Sequence, residues 1–131
     1  MNKYISIAAY IGATTVALGA FGAHALKDKL PSGALAIFDT AVKYQFYHVF
    51  ALLGAGILYA RQPVKKLAWA ANLFIAGIIL FSGSLYALTF LKNSGNESFN
   101  WIGAITPLGG LCFIIGWILM AVVATTKSSD A

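Results

Sequence analysis

Four uncharged apolar stretches, Tyr4 to Leu26, Tyr44 to Ala60, Leu67 to Leu91 and Ser98 to Thr126, occupy most of this chain and leave it few architectures to adopt. A helix crossing a hydrocarbon core about 30 Å thick needs roughly 20 apolar residues, so the first, third and fourth stretches are long enough outright. The second is shorter and qualifies once its Tyr and His end lies among headgroups. The expected fold is therefore all-α: an integral membrane four-helix bundle of antiparallel up-down hairpins. Its spans are expected near residues 4–26, 44–60, 67–91 and 101–124, with an amphipathic helical extension over 34–43 before the second span.

Charge and length agree with that reading. Only 10% of the residues are charged, whereas a soluble domain carries about 25%. The 131 residues are read as a single membrane domain, because the connections are too short to hold a separate catalytic module. The net charge of +5 is spread over flanks and loops, where basic residues anchor helices to anionic headgroups. No run is basic enough for a nucleic-acid groove, so the expected partner is the lipid bilayer. The single Cys112 cannot close an internal disulfide. Lys3 and the small-x-small triplet Ala23-His24-Ala25 have the form of a signal peptide. The first stretch is nevertheless longer than the 7–15 residues or so of a signal core, and helix one is expected to be retained.

Pro31 and Gly33 mark a turn after helix one. Beyond it Leu35, Phe38 and Val42 recur at helical spacing, while Asp39 and Lys43 form an i,i+4 pair on another face. An interfacial helix there would have to bend into the membrane. With no Gly or Pro between Ala34 and Leu53, one long helix is expected instead. The basic loop Arg61 to Lys66 is short enough to make the second and third helices antiparallel neighbours. A polar turn is read over Lys92 to Glu97, where Asn96-Glu97-Ser98 matches a glycosylation acceptor that is common by chance. Pro107 falls inside the fourth stretch, where a missing hydrogen bond kinks a helix. Lys3, Arg61, Lys65, Lys66 and Lys127 then share one side of the membrane, against Lys27, Lys29, Lys43 and Lys92 on the other. The compact three-charge loop favours cytoplasmic termini in a plasma membrane. Trp69 and Trp101 fall at opposite interfaces, as aromatic-belt residues do.

Helices in lipid gain no hydrophobic reward for associating and rely on close backbone contact, which small residues permit. Gly12, Gly19 and Gly22 on helix one, Gly83 on helix three, and Gly103, Gly109, Gly110 and Gly116 with Pro107 on helix four are the expected packing positions. Most serve packing within the chain; a small-residue face left over would serve a homo-oligomer or a membrane-protein partner.

The polar residues that stand out are His24 near the end of helix one and Tyr44, Gln45 and His48 at the entrance to helix two, which a hairpin would bring to one interface. Ionisable groups within a membrane are functional suspects. The structural reading is a hydrogen-bond network that locks the hairpin, and the functional one is a lipid, quinone, proton or small-solute site. Two histidines fall short of the three or four ligands a zinc site takes, so no metal is expected. A haem between His24 and His48 would need an inward-facing pocket that the spacing does not demand, and no cofactor is expected. Catalytic signatures are lacking: no phosphate loop, no paired acids in the membrane and no Ser with a matched His and acid. The expectation is a non-enzymatic interaction or assembly component. A pore would require several copies, because the polar residues trace no path through one.

Four ordered motifs carry a resemblance: Gly19-Ala20-Phe21-Gly22-Ala23-His24, Tyr44-Gln45-Phe46-Tyr47-His48, Leu80-Phe81-Ser82-Gly83-Ser84-Leu85-Tyr86 and Ile105-Thr106-Pro107-Leu108-Gly109-Gly110. Together they resemble the small multi-pass membrane proteins of domain of unknown function 423, to which the eukaryotic transmembrane protein 256 is similar. The resemblance spans essentially the whole chain and implies four helices and a bacterial inner-membrane location. It implies no activity, substrate or catalytic residue.

Overall fold

The computed structural model describes residues 2–93 and 97–126, and every regular element among them is helical. Helix α1 (Lys3–Phe21) runs on through a π-helical turn, Gly22–Leu26. Helix α2 spans Ser32–Arg61 without a break. Helix α3 (Lys65–Gly77) passes through a second π-helical turn, Ile78–Ser82, into α4 (Gly83–Asn93). A 3-10 segment, Glu97–Ala104, precedes α5 (Thr106–Thr125). Because the π turns continue the helices that enter them, the described residues form four rods. Residues 94–96 of the polar turn, with the Asn96 acceptor, and Lys127 of the charge argument lie outside the described residues.

Local chemistry accounts for the ends. Asn2 caps α1: its side-chain oxygen accepts from the amides of Tyr4 and Ile5 at 3.0 and 3.3 Å. Its amide nitrogen also donates to the Gly56 carbonyl at 2.8 Å, so one side chain both starts α1 and ties it to α2. Pro107 stands in the first turn of α5, just after the 3-10 segment, and not in a helix interior. At that position its missing N–H would have had no intrahelical partner anyway.

Among the described residues three helices are long and apolar enough to cross a membrane: Lys3–Leu26, Lys65–Leu91 and Trp101–Thr125. Helix α2 is not among them, yet it is the most enclosed. Eleven of its residues are buried, against three in each of α1 and α5, and it touches all the other helices. Its neighbours do not wall it in completely, since Tyr44, Tyr47, Phe50, Ile57 and Leu58 are exposed along its outer side. The outer faces of those neighbours carry Tyr10, Val16, Ile79, Leu108, Leu111, Ile114 and Ile118 exposed, which suits lipid.

The contacts follow two regular registers. Along α1 and α2, Gly22 faces Phe38, Gly19 faces Val42, Gly12 faces Val49, and Tyr4 and Ile5 face Gly56. Along the α3 rod and α5, Phe74 faces Gly116, Gly77 faces Phe113, and Phe81 faces Gly109. In this second pair each helix sets an aromatic ring into the gap left by a glycine of the other. A Cβ on Gly109 would collide with the Phe81 backbone, and one on Gly116 would stand 2.7 Å from the Phe74 ring.

Candidate functional site: a closed polar interior and an open groove

The registers set the depth of the polar residues. Gln45 bonds to Thr15, and Val49, next to His48, faces Gly12, so both polar groups are level with the middle of α1. A lysine at position 43 suggested a membrane edge there, but α2 simply continues past it. Lys43 and Asp39 pair at 3.0 Å on the outer face, where a long side chain carries its charge away from apolar surroundings.

Gln45 is the hub of one network. The Tyr86 hydroxyl donates to Gln45 Oε1 at 2.5 Å, Gln45 Nε2 donates to Thr15 Oγ1 at 2.7 Å, and Thr15 Oγ1 donates to the Ile11 carbonyl at 2.6 Å. The chain of donors thus joins α4, α2 and α1. His48 lies on another face of α2, stacked on Phe113 with ring centres 3.4 Å apart and planes 8° apart. Trp117 Nε1 donates to His48 Nε2 at 3.1 Å, so the imidazole proton sits on Nδ1, which donates to the Tyr44 carbonyl at 2.7 Å. Both ring nitrogens are engaged. Tyr44 itself is partly exposed and packs on Phe81, with ring centres 4.7 Å apart. Lesser links complete the interior: Ser82 Oγ donates to the Ala41 carbonyl at 2.8 Å, and Ser84 and Thr106 share a hydroxyl bond of 2.6 Å. Among the described residues no buried side-chain nitrogen or oxygen lacks a partner, and no three His, Cys, Asp or Glu residues are grouped as a metal site requires.

The four residues singled out in the sequence therefore do not share one site. Tyr44 and His48 leave one face of α2, their rings stacked with centres 6.3 Å apart, whereas Gln45 turns away to Thr15 and Tyr86. His24 sits exposed in the first π turn, where Gly22 faces Phe38, about two helical turns from Gln45. Sequence reasoning missed Tyr86, Phe113 and Trp117 as partners and Gly56 and Gly77 as close-approach positions. The matched spacing of Phe74, Gly77 and Phe81 with Gly109, Phe113 and Gly116 was the signal available. Of the packing positions expected, Gly22, Gly109 and Gly116 sit against neighbours too close for a Cβ; at Gly12 and Gly19 a Cβ would make ordinary contact at 3.5 Å. Gly110 has only the Phe81 ring edge near it, at 3.9 Å, and Gly83 and Gly103 face open space.

His24's end of the molecule holds a different feature. An outward-opening groove of about 520 Å³ runs between the end of α1 and the start of α2. Gly19, Gly22, Ala23, Phe38 and Val42 line it, with Lys27, Ser32 and Asp39 as its polar groups.

Comparison with known proteins places the chain in a group. The family described as a protein of unknown function (DUF423) matches residues 18–110. A UPF0382 membrane protein of Haemophilus influenzae is 44% identical over 120 residues, covering 92% of this chain and 91% of its own. Another, from Staphylococcus aureus, is 40% identical over 127 residues, covering 97% and 98%. YwdK of Bacillus subtilis, also a UPF0382 membrane protein, is 41% identical over 125 residues, covering 95% and 97%. No solved structure matches the chain. With three lipid-compatible helices and near full-length similarity to these bacterial membrane proteins, the chain belongs to the DUF423 family of membrane proteins.

Proposed function

We propose that the chain is an antiparallel four-helix membrane bundle acting as a non-enzymatic interaction or assembly component of a bacterial plasma membrane, with both termini cytoplasmic. The opposed registers of α1 with α2 and of the α3 rod with α5 support the bundle. One observation carries the functional reading: the polar groups of the interior are spent on one another, so what this protein offers a partner lies on its outside. Gly83 and Gly103 belong to that outside. Both are exposed, have open space where a Cβ would stand, and flank in sequence the Ser84–Thr106 bond. Close backbone approach by a second membrane helix needs such a place.

The test is a Gly83→Leu, Gly103→Leu double variant, analysed by native mass spectrometry from native membranes. The melting temperature in detergent is expected to stay at the wild-type value while a homo-oligomer or co-purifying membrane partner is lost. A wild-type protein that emerges as a bare monomer, or a double variant that keeps the same assembly, overturns the reading.

A further inference from the structure

We propose that the groove between α1 and α2 holds one anionic phospholipid, its phosphate at Lys27 and one acyl chain lying over Gly19, Gly22 and Ala23. The inference is independent of the assembly reading and uses only the chain's place in a membrane. The volume of about 520 Å³ falls within the roughly 300–1,000 Å³ of small-molecule sites. In a bilayer a concave, outward-facing surface of this size is filled by lipid or by protein, and the arrangement of charge favours lipid.

Position comes first. Lys27, Asp28 and Lys29 end the apolar run of α1, so the mouth of the groove lies at headgroup level. From Lys27 to Gly19 α1 descends about 12 Å, at about 1.5 Å per residue, into the acyl region. The walls change with that depth: Lys27 and Ser32 are at the mouth and Gly19 and Val42 at the inner end, with Asp39, neutralised by Lys43, on the α2 wall between them. Apart from that ion pair the polarity is that of a phospholipid, head to tail.

Charge comes second. Asp39 is already paired with Lys43, whereas Lys27 has no carboxylate partner among the described residues. The uncompensated charge lining the groove is therefore positive, which selects an anion over a zwitterion. Ser32 adds a hydroxyl donor. The first turn of the 30-residue helix α2, which has no side-chain cap, adds amides of the same polarity. The shape has a local cause as well. The π-helical turn Gly22–Leu26 widens α1 where the groove lies, and with no side chain at Gly22 the Phe38 ring can close the floor.

The experiment places the protein in nanodiscs of phosphatidylcholine doped with phosphatidylglycerol, releases it into detergent and counts retained lipids by native mass spectrometry. Wild type is expected to keep one phosphatidylglycerol. Lys27→Gln is expected to weaken its retention about tenfold, in line with loss of one charge-assisted hydrogen bond. Lys29→Gln, which removes the same charge outside the groove, is expected to retain it. Ala23→Leu, or Ala36→Leu on the opposite wall if the first fails to fold, is expected to lose the lipid whatever its headgroup. Equal retention of phosphatidylcholine, equal loss in the two lysine variants, retention after the groove is filled, or no lipid on wild type each overturns the proposal.

Discussion

The α3–α5 pair and the α1–α2 pair both carry glycine at regular intervals, but they use it for different ends. Between the α3 rod and α5, glycine is a socket: Gly116 receives Phe74, Gly77 receives Phe113, and Gly109 lies against the backbone of Phe81. Between α1 and α2, Gly12 and Gly19 sit opposite valines at distances where a methyl group would fit, and only Gly22 and Gly56 are crowded. Dispersion and close fit hold one pair, with no hydrophobic reward to supplement them. The other relies on a looser seam, the cross-seam bonds of Asn2 and Gln45, and a groove left open at one end. A glycine's worth in a membrane helix thus depends on what stands opposite, and a small-residue motif alone does not reveal it.

Substitution can break this contrast, most sharply at Gly109. Gly109→Ala presses a methyl group on backbone atoms that no rotamer change can move aside, and a loss of about 3 kcal/mol, the upper end of overpacking costs, is expected in detergent unfolding. A wild-type midpoint would show that the two rods separate easily. Next come Gly116→Ala and Gly77→Ala, which meet rings and not backbone; a loss of about 1–3 kcal/mol is expected for each. Pairing Gly116→Ala with Phe74→Leu should recover part of that loss, and additivity of the two would contradict the socket geometry. Gln45→Leu removes the hub between Tyr86 and Thr15 and is expected to cost about 1–2 kcal/mol, measured beside a Thr15→Val partner in a double-mutant cycle. A coupling near zero would mean that the network does not join α1 to α2. The smallest effect belongs to the looser seam. Gly12→Ala and Gly19→Ala are expected to leave stability unchanged or raise it by up to about 1 kcal/mol, because alanine fits and is the better helix former. A large loss at either position would erase the difference between the two pairs.

Much of the fold was legible because apolar runs translate directly into helices in lipid. The unbroken α2 followed from the absence of Gly and Pro between Ala34 and Leu53. Depth was not legible. Asp39 and Lys43 look like the edge of a membrane in a linear reading, yet their charges face outward from a helix that passes on into the protein. His48 was therefore expected at an interface, whereas the register with α1 puts it level with mid-span. Pairing was legible only in part. His24 and His48 share a residue type but not a height, and the partner His48 actually has, Trp117, lies at the far end of the chain's sequence. Pro107 was misplaced for a related reason, since a helix start inside an apolar run leaves no mark in hydropathy.

The π-helical turn at Ile78–Ser82 bears on how this chain tolerates changes in length. A π turn accommodates one residue more than an α-helical turn in the same rise, so it works as a phase adjuster between the halves of the rod. Upstream, Phe74 and Gly77 are in phase with α5; downstream, Ser84 is in phase with Thr106. Deleting one residue from the turn would let the rod close into a regular α-helix and leave Ser84 and Tyr86 near the phase they now hold. A second deletion would find no such slack and would rotate everything beyond it by about 100°, swinging Tyr86 away from Gln45 and Ser84 from Thr106. The rod would thereby tolerate one missing residue at its middle and not two, a limit invisible to any hydropathy profile.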